Sequence, residues 1–266
     1  MPTDNGKVMI PWRLAETILE TRLSTTTLRL LFSMLHRLDL ADVCGPGAPA
    51  DPPATWAACA DLRARVGPRC PNGARDFHAA MDELLRAEIL VAADLLNRNT
   101  DFQWRFAPWV WSHMRVRDWS NYVLVDLVEL GQCNSWYTVM LYIRMRKLYG
   151  SDAPQFQMAI DPKRSIAAQT RRLTEATRRV ASILNVVCYI GLEHARHAPI
   201  PERFVIKLTH PGTRWKKHAY LKFRPNSQVW RVDCIGTRRF DTRSVSKLRA
   251  DLMVKEDEGL EHQLPR

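Results

Sequence analysis

Apolar positions follow a helical period from Leu23 to Leu40. In LSTTTLRLLFSMLHRLDL, Leu28, Leu31, Leu35 and Leu38 share one face, and Ser24 stands where an N-cap belongs. The prolines and glycines of CGPGAPADPPA exclude regular structure after that helix. TWAACADLRARVG and GARDFHAAMDELLRAE then predict two short helices, the first broken at Gly67-Pro68 and the second capped by Asn72. ILVAADLL and DFQWRFAPWVW predict two strands around the turn residues NRNT. Helix, two packed helices and a β-hairpin is the order of a winged-helix module, whose second packed helix enters a DNA major groove.

The order recurs further along. Ser24, Thr27, Leu28, Leu30 and Met34 have counterparts 111 residues later (135 − 24) in Ser135, Thr138, Val139, Leu141 and Met145. SWYTVMLYIRMRKLYG predicts a helix stopping at Gly150, and PQFQMAI a short strand. Asp161-Pro162 has the form of a helix start, Asp as cap and Pro in the first turn. From Ile166, the residues Leu173, Ala176, Val180, Ile183, Leu184 and Val187 keep a helical period. That pattern leaves open one bent helix or two helices with a turn near QTRRLT. RFVIKLTHPGTRWKKHAYLKF predicts two strands around HPGTRWKK. The expected fold class is therefore α+β, mainly helical, with two tandem winged-helix domains at 8–112 and 120–225. The first is the dimer or partner surface and a possible DNA contact, the second the main DNA-binding domain. Residues 226–266 read as a basic-then-acidic C-terminal tail, TRRFDTRSVSKLR followed by KEDEGLEH. Between the modules, Trp109, Trp111 and Trp119 suggest packed inter-domain core rather than a loose tether.

Charge sharpens this picture. Residues 1–120 hold 14 Lys+Arg against 14 Asp+Glu, whereas residues 121–266 hold 25 against 14, so the whole surplus of +11 lies in the second part. Within 163–249 the balance is 20 against 5, a field suited to a polyanion. No window is long and apolar enough for a bilayer, and MPTDNGKVMIPW lacks the features of a signal peptide. The six scattered cysteines read as reduced thiols, and the expected location is cytoplasmic, with no membrane association.

TRRLTEATRRVASIL carries two arginine pairs seven residues apart. At 100° per residue Arg171 and Arg178 fall nearly opposite the apolar stripe, and Arg172 and Arg179 flank it. Guanidinium groups so placed can pair with guanine edges or phosphates. Arg214, Lys216, Lys217 and His218 surround Trp215 on the expected wing tip, shaped by Pro211 and Gly212. In the first module Arg69, Asn72, Arg75 and His78 could read bases, although Asp76, Asp82 and Glu83 share their helix. Catalysis finds no support: there is no glycine-rich phosphate loop and no carboxylate cluster for a two-metal nuclease. His194 and His197 in EHARH read as surface or helix-end residues. The chain reads as a non-enzyme without cofactor or metal.

SWYTVMLY (135–142) is similar to the Ser-x-Tyr-Ser-x-x-Leu-Tyr helix of plasmid replication initiators with paired winged-helix domains, and TRRV (177–180) resembles their basic-Arg-Val stretch. The likeness spans roughly residues 8–225. It implies binding of double-stranded DNA at repeated origin sequences (iterons), origin melting, and recruitment of host replication proteins such as the helicase and the host initiator. It also implies a dimer that represses its own promoter and a monomer that starts replication, with Arg178 and Arg179 as major-groove readers. Two features depart from that pattern: SIAAQTRRL replaces the usual leucine-and-glycine pattern, and CGPGAPADPPA is a longer loop. The alternatives are a winged-helix transcriptional repressor and a DNA-processing enzyme or recombinase accessory.

Overall fold

A computed structural model of the chain describes residues 6–41, 43–45, 47–65, 74–116, 120–194, 201–209, 223–224 and 227–240. The chain divides into two compact units, Met1–Lys147 and Leu148–Arg266. Among the described residues 45% are helical and 29% lie in strands, so the molecule is mixed α and β, with more strand than a mainly helical fold would hold.

In the first unit, β1 (Lys7–Pro11) leads directly into α1 (Trp12–Glu20) and pairs antiparallel with β5 (Tyr122–Asp126). The helix α2 (Thr25–Leu40) begins at Ser24, whose hydroxyl accepts from Thr27 N at 3.1 Å. Leu28, Leu31, Leu35 and Leu38 are buried as the periodicity requires, but so are Arg29, Ser33 and His36 on the polar side. The helix is thus enclosed on all sides, and its polar groups need internal partners. Arg29 donates to the Cys133 carbonyl, and Ser33 to the Leu62 carbonyl at 3.0 Å.

Beyond the proline-rich loop come β2 (Thr55–Ala58), α3 (Cys59–Arg65), α4 (Ala74–Arg86) and the hairpin of β3 (Leu90–Leu96) with β4 (Asp101–Phe106). The strands form one antiparallel sheet in the order β2-β4-β3. TWAACADLRARVG, expected to be helical throughout, opens instead with a four-residue strand. Thr55 and Trp56 suit a pleated edge, and they pair with Trp104 and Gln103. The expected strand through APWVW is also corrected. The chain turns into α5 (Pro108–Val116), where Pro108 supplies the fixed φ of a first helical turn. Trp109 and Trp111 donate their indole N–H groups to the carbonyls of Glu88 and Pro49 at 2.7 and 3.0 Å. Both indoles are therefore bonded within the first unit; Trp119 lies outside the described residues.

The short helix α6 (Leu127–Gly131) and the longer α7 (Trp136–Leu148) follow β5. Ser135 caps α7 as Ser24 caps α2: its hydroxyl accepts from Thr138 N at 3.2 Å and lies 2.7 Å from the Thr138 hydroxyl. The repeated Ser-x-x-Thr is thus a repeated helix start. Although the template places α7 in the second module, nearly all of it belongs to the first compact unit. Tyr142 of α7 donates to Glu129 at 2.8 Å and accepts from Asp126 N at 3.0 Å, while Arg146 pairs with the same Glu129 at 2.5 Å.

In the second unit β6 (Gln155–Ala159), β7 (Val187–His194), β8 (Pro201–Thr209), β9 (Gln228–Val232) and β10 (Thr237–Phe240) form an antiparallel sheet in the order β10-β9-β7-β8-β6. The hairpin partner of β8 among the described residues is β7; the strand expected after HPGTRWKK falls on residues 218–222, outside the described residues. The apolar run SILNVVCYIGL conceals β7 by prolonging the helical period. Asn185 in left-handed conformation (φ 50°) ends the helix inside that run. The segment read as the start of a tail supplies β9 and β10, joined by a turn in which Asp233 accepts from Ile235 N and Gly236 N, both at 3.0 Å. Residues 241–266 lie outside the described residues.

Candidate nucleic-acid interface

The helix α8 (Ile166–Leu184) is continuous over 19 residues, which settles the choice between one helix and two. It starts at Ser165, whose hydroxyl accepts from Ala168 N, and not at Asp161. Asp161 instead receives Lys163 N on its carboxylate at 2.9 Å, and this local bond holds a turn. Gln169 reinforces it, accepting from Asp161 N and donating to the carbonyls of Asp161 and Arg164 at 2.9 to 3.0 Å. Leu173, Ala176, Thr177, Val180, Ala181 and Leu184 are buried along the inner side. α8 packs there on β7 and β9.

The outer side carries Arg171, Arg172, Glu175 and Arg178, all exposed, with Arg179 half-buried on the flank. Seven residues are about two turns, so Arg171 and Arg178 stand in one row roughly 10 Å apart along the axis. Among the described residues the side chains of Arg171, Arg172 and Arg178 make no ion pair. Three other arginines of this unit are already matched. Arg203 and Arg224 pair with Glu193 at 3.2 and 3.4 Å, and Arg231 pairs with Asp233 at 3.3 Å. Lys207 lies 4.6 Å from the Phe223 ring centroid, and burial lowers its pKa despite the opposing charge of Glu193. The positive charge counted along the sequence is thus partly neutralised within the sheet. Among the described residues of this unit, Arg171, Arg172 and Arg178 of α8 stand without an ion pair, as do Arg238 and Arg239 of β10.

The other expected contacts are distributed differently. Arg75 and His78 lie exposed on α4, but Arg69 and Asn72 fall outside the described residues, as do Arg214, Lys216, Lys217 and His218 of the expected wing tip. Glu83, expected as an acidic neighbour of base-reading residues, plays a structural part. It accepts from Ser24 N at 2.7 Å and from the Thr27 hydroxyl, fastening α4 to the start of α2. His194, read as a surface or helix-end residue, is half-buried at the end of the strand β7; His197 is outside the described residues.

Sequence reasoning missed a concave surface beside α8. It has a volume of about 640 Å³ and lies between the first turns of the helix, with Ile166, Thr170, Arg171 and Thr174, and the sheet, with Leu192, His194, Gln228 and Trp230. Its sheet side depends on the β9–β10 hairpin. The signal for that hairpin is present in QVWRV and TRRF around Asp233 and Gly236, the alternation and turn residues of paired strands.

No protein-family profile and no curated protein matches the chain. Among solved structures it is similar to the crystal structure of a Pi initiator protein in complex with iteron DNA. The TM-score is 0.50 at 12% sequence identity, over 79% of this chain and 100% of that one. The likeness is one of fold. No helix among the described residues is long and apolar enough to cross a membrane.

Proposed function

We propose that the chain is a sequence-specific, double-stranded-DNA-binding replication initiator made of two winged-helix modules, near 8–112 and 120–225. In the first, α2, β2, α3, α4 and the β3–β4 hairpin supply the parts of the motif. In the second, α7, β6, α8 and the β7–β8 hairpin do so, with a turn at 161–165 where a further helix would stand. The observation that carries the reading is the outer row of α8, where arginines two turns apart stand free of ion pairs opposite a buried face. Such a helix can enter a major groove and offer bidentate donors to guanine edges. The shared fold with an initiator solved on iteron DNA supports the same assignment. On this reading the protein binds repeated origin sequences in the cytoplasm, recruits host helicase and initiator proteins, represses its own promoter as a dimer, and catalyses no reaction itself.

The test is duplex binding to direct repeats from the DNA flanking its coding region, against a shuffled duplex. Arg171→Ala and Arg178→Ala should each weaken repeat binding about tenfold, since a lost bidentate base contact costs roughly 1–3 kcal/mol. Binding to the shuffled duplex should change far less. Equal losses on both duplexes would remove the base-reading role, and recognition of a single palindrome alone would favour a repressor.

A further inference from the structure

The concave surface beside α8 has a consistent chemistry. No Asp or Glu lines it among the described residues. Its polar side chains are those of Arg171, His194, Gln228, Trp230 and Thr237, together with the threonines of the helix, beside apolar Ile166 and Leu192. The hydroxyls of Thr170 and Thr174 donate to helix carbonyls, so they add no donor. Glu193, adjacent in sequence to His194, points to the other side of the strand and is occupied by Arg203 and Arg224.

The strand register adds another cation. Arg239 of β10 stands directly opposite Trp230 of β9, and directly opposed residues share a face, so Arg239 lies on the groove side of the sheet. It is exposed and makes no ion pair among the described residues. Its neighbour Arg238 stands opposite Arg231 and faces the other side. The groove is thus open, lined by Arg171 and hydrogen-bonding side chains together with apolar ones, with no acid among the described residues, and Arg239 stands on the same face of the sheet.

We propose that this groove holds the sugar–phosphate strand that bounds the major groove entered by α8, with Arg239 on a phosphate and Trp230 against deoxyribose. The β9–β10 hairpin is then a second DNA-contacting element that clamps the backbone without reading sequence. A phosphodiester strand suits the site better than a small anion because the surface is open, with Arg171 on its helix side and Arg239 on the same face of the sheet beyond it. The assignment rests on the DNA-binding reading of α8.

The experiment measures duplex affinity of the full chain against salt concentration for Arg239→Gln, Arg238→Gln and Arg178→Ala, on repeat and random duplexes. Arg239→Gln should weaken both duplexes alike, about three- to tenfold near physiological salt. It should also reduce the slope of log K against log salt by about 0.9, the release of one phosphate contact. Arg238→Gln, one residue away but on the other face, should change neither affinity nor slope. If Arg239→Gln and Arg238→Gln behave the same, the groove is not a backbone site. Should Arg178→Ala still lose repeat binding in that case, the α8 assignment survives. A wild-type chain that binds no duplex overturns both proposals.

Discussion

Ser24 and Ser135 begin two helices in the same way, each accepting from the N–H of the threonine three residues on. What differs is the support around them. Glu83 reaches the first cap from α4 and satisfies Ser24 N and the Thr27 hydroxyl together. The second cap has a local companion instead, Asn134, which accepts from the Thr138 hydroxyl at 3.4 Å. Removal of either serine hydroxyl should cost about 1 kcal/mol. Glu83→Ala should cost more than Ser24→Ala, because it leaves two donors unmatched and releases α4 from α2. Urea denaturation of the three single variants measures this order. An unchanged midpoint for Glu83→Ala would show that the tie is not a stabilising contact.

At the scale of elements, α6 and α7 are joined by a polar cluster inside an apolar setting. The Tyr142 hydroxyl sits between Glu129 and the Asp126 backbone, with Arg146 pairing with Glu129. Burial, and secondarily the Glu129 charge, raise the Tyr142 pKa well above its ordinary value near 10. The folded protein therefore keeps a proton that the unfolded chain releases above about pH 10, so stability falls as pH rises through that range. Lys207, with its lowered pKa, acts in the opposite direction in the other unit, since folded protein releases its proton first. Tyr142→Phe should be less stable than wild type at about pH 8, having lost the hydroxyl bonds. The difference should shrink as pH climbs from about 9 to about 11, as measured by denaturation midpoints. A constant difference would mean that the Tyr142 proton is not linked to folding.

Across the whole molecule the two units differ in what their charges do. The basic surplus belongs to the second part, and within the second unit arginines without an ion pair lie, among the described residues, on α8 and on both faces of β10. Electrostatic attraction to DNA should therefore come mainly from that unit, with the neutral first part adding discrimination or a partner surface. Two helix-turn-helix units on one duplex occupy positions about one helical turn apart. A hydroxyl-radical footprint of the full chain should cover about two turns, near 20 base pairs. Residues 120–266 alone should protect about half of that, more weakly. Equal footprints would show that the first module touches no DNA.

Local pattern alone determined a good deal here. The Ser-x-x-Thr starts, the leucine row of α2, the β3–β4 hairpin around NRNT and the arginine face of α8 all follow from contacts between residues close in sequence. Caps, helical periods and tight turns are short-range, so they leave their mark on the string itself. The departures were decided by partners far away. Thr55–Ala58 is a strand because β4 lies beside it, and Val187–His194 is one because β8 and β9 do. An apolar run carries no period that distinguishes helix from buried strand until its neighbours are known. Arg203, Arg224 and Arg231 count toward a DNA-seeking charge until the fold matches them with Glu193 and Asp233. The groove beside α8 is invisible in the sequence for the same reason. Its two walls are joined only when β9 and β10 extend the sheet beside a helix that ends well before them in the chain, a juxtaposition that tertiary packing alone creates.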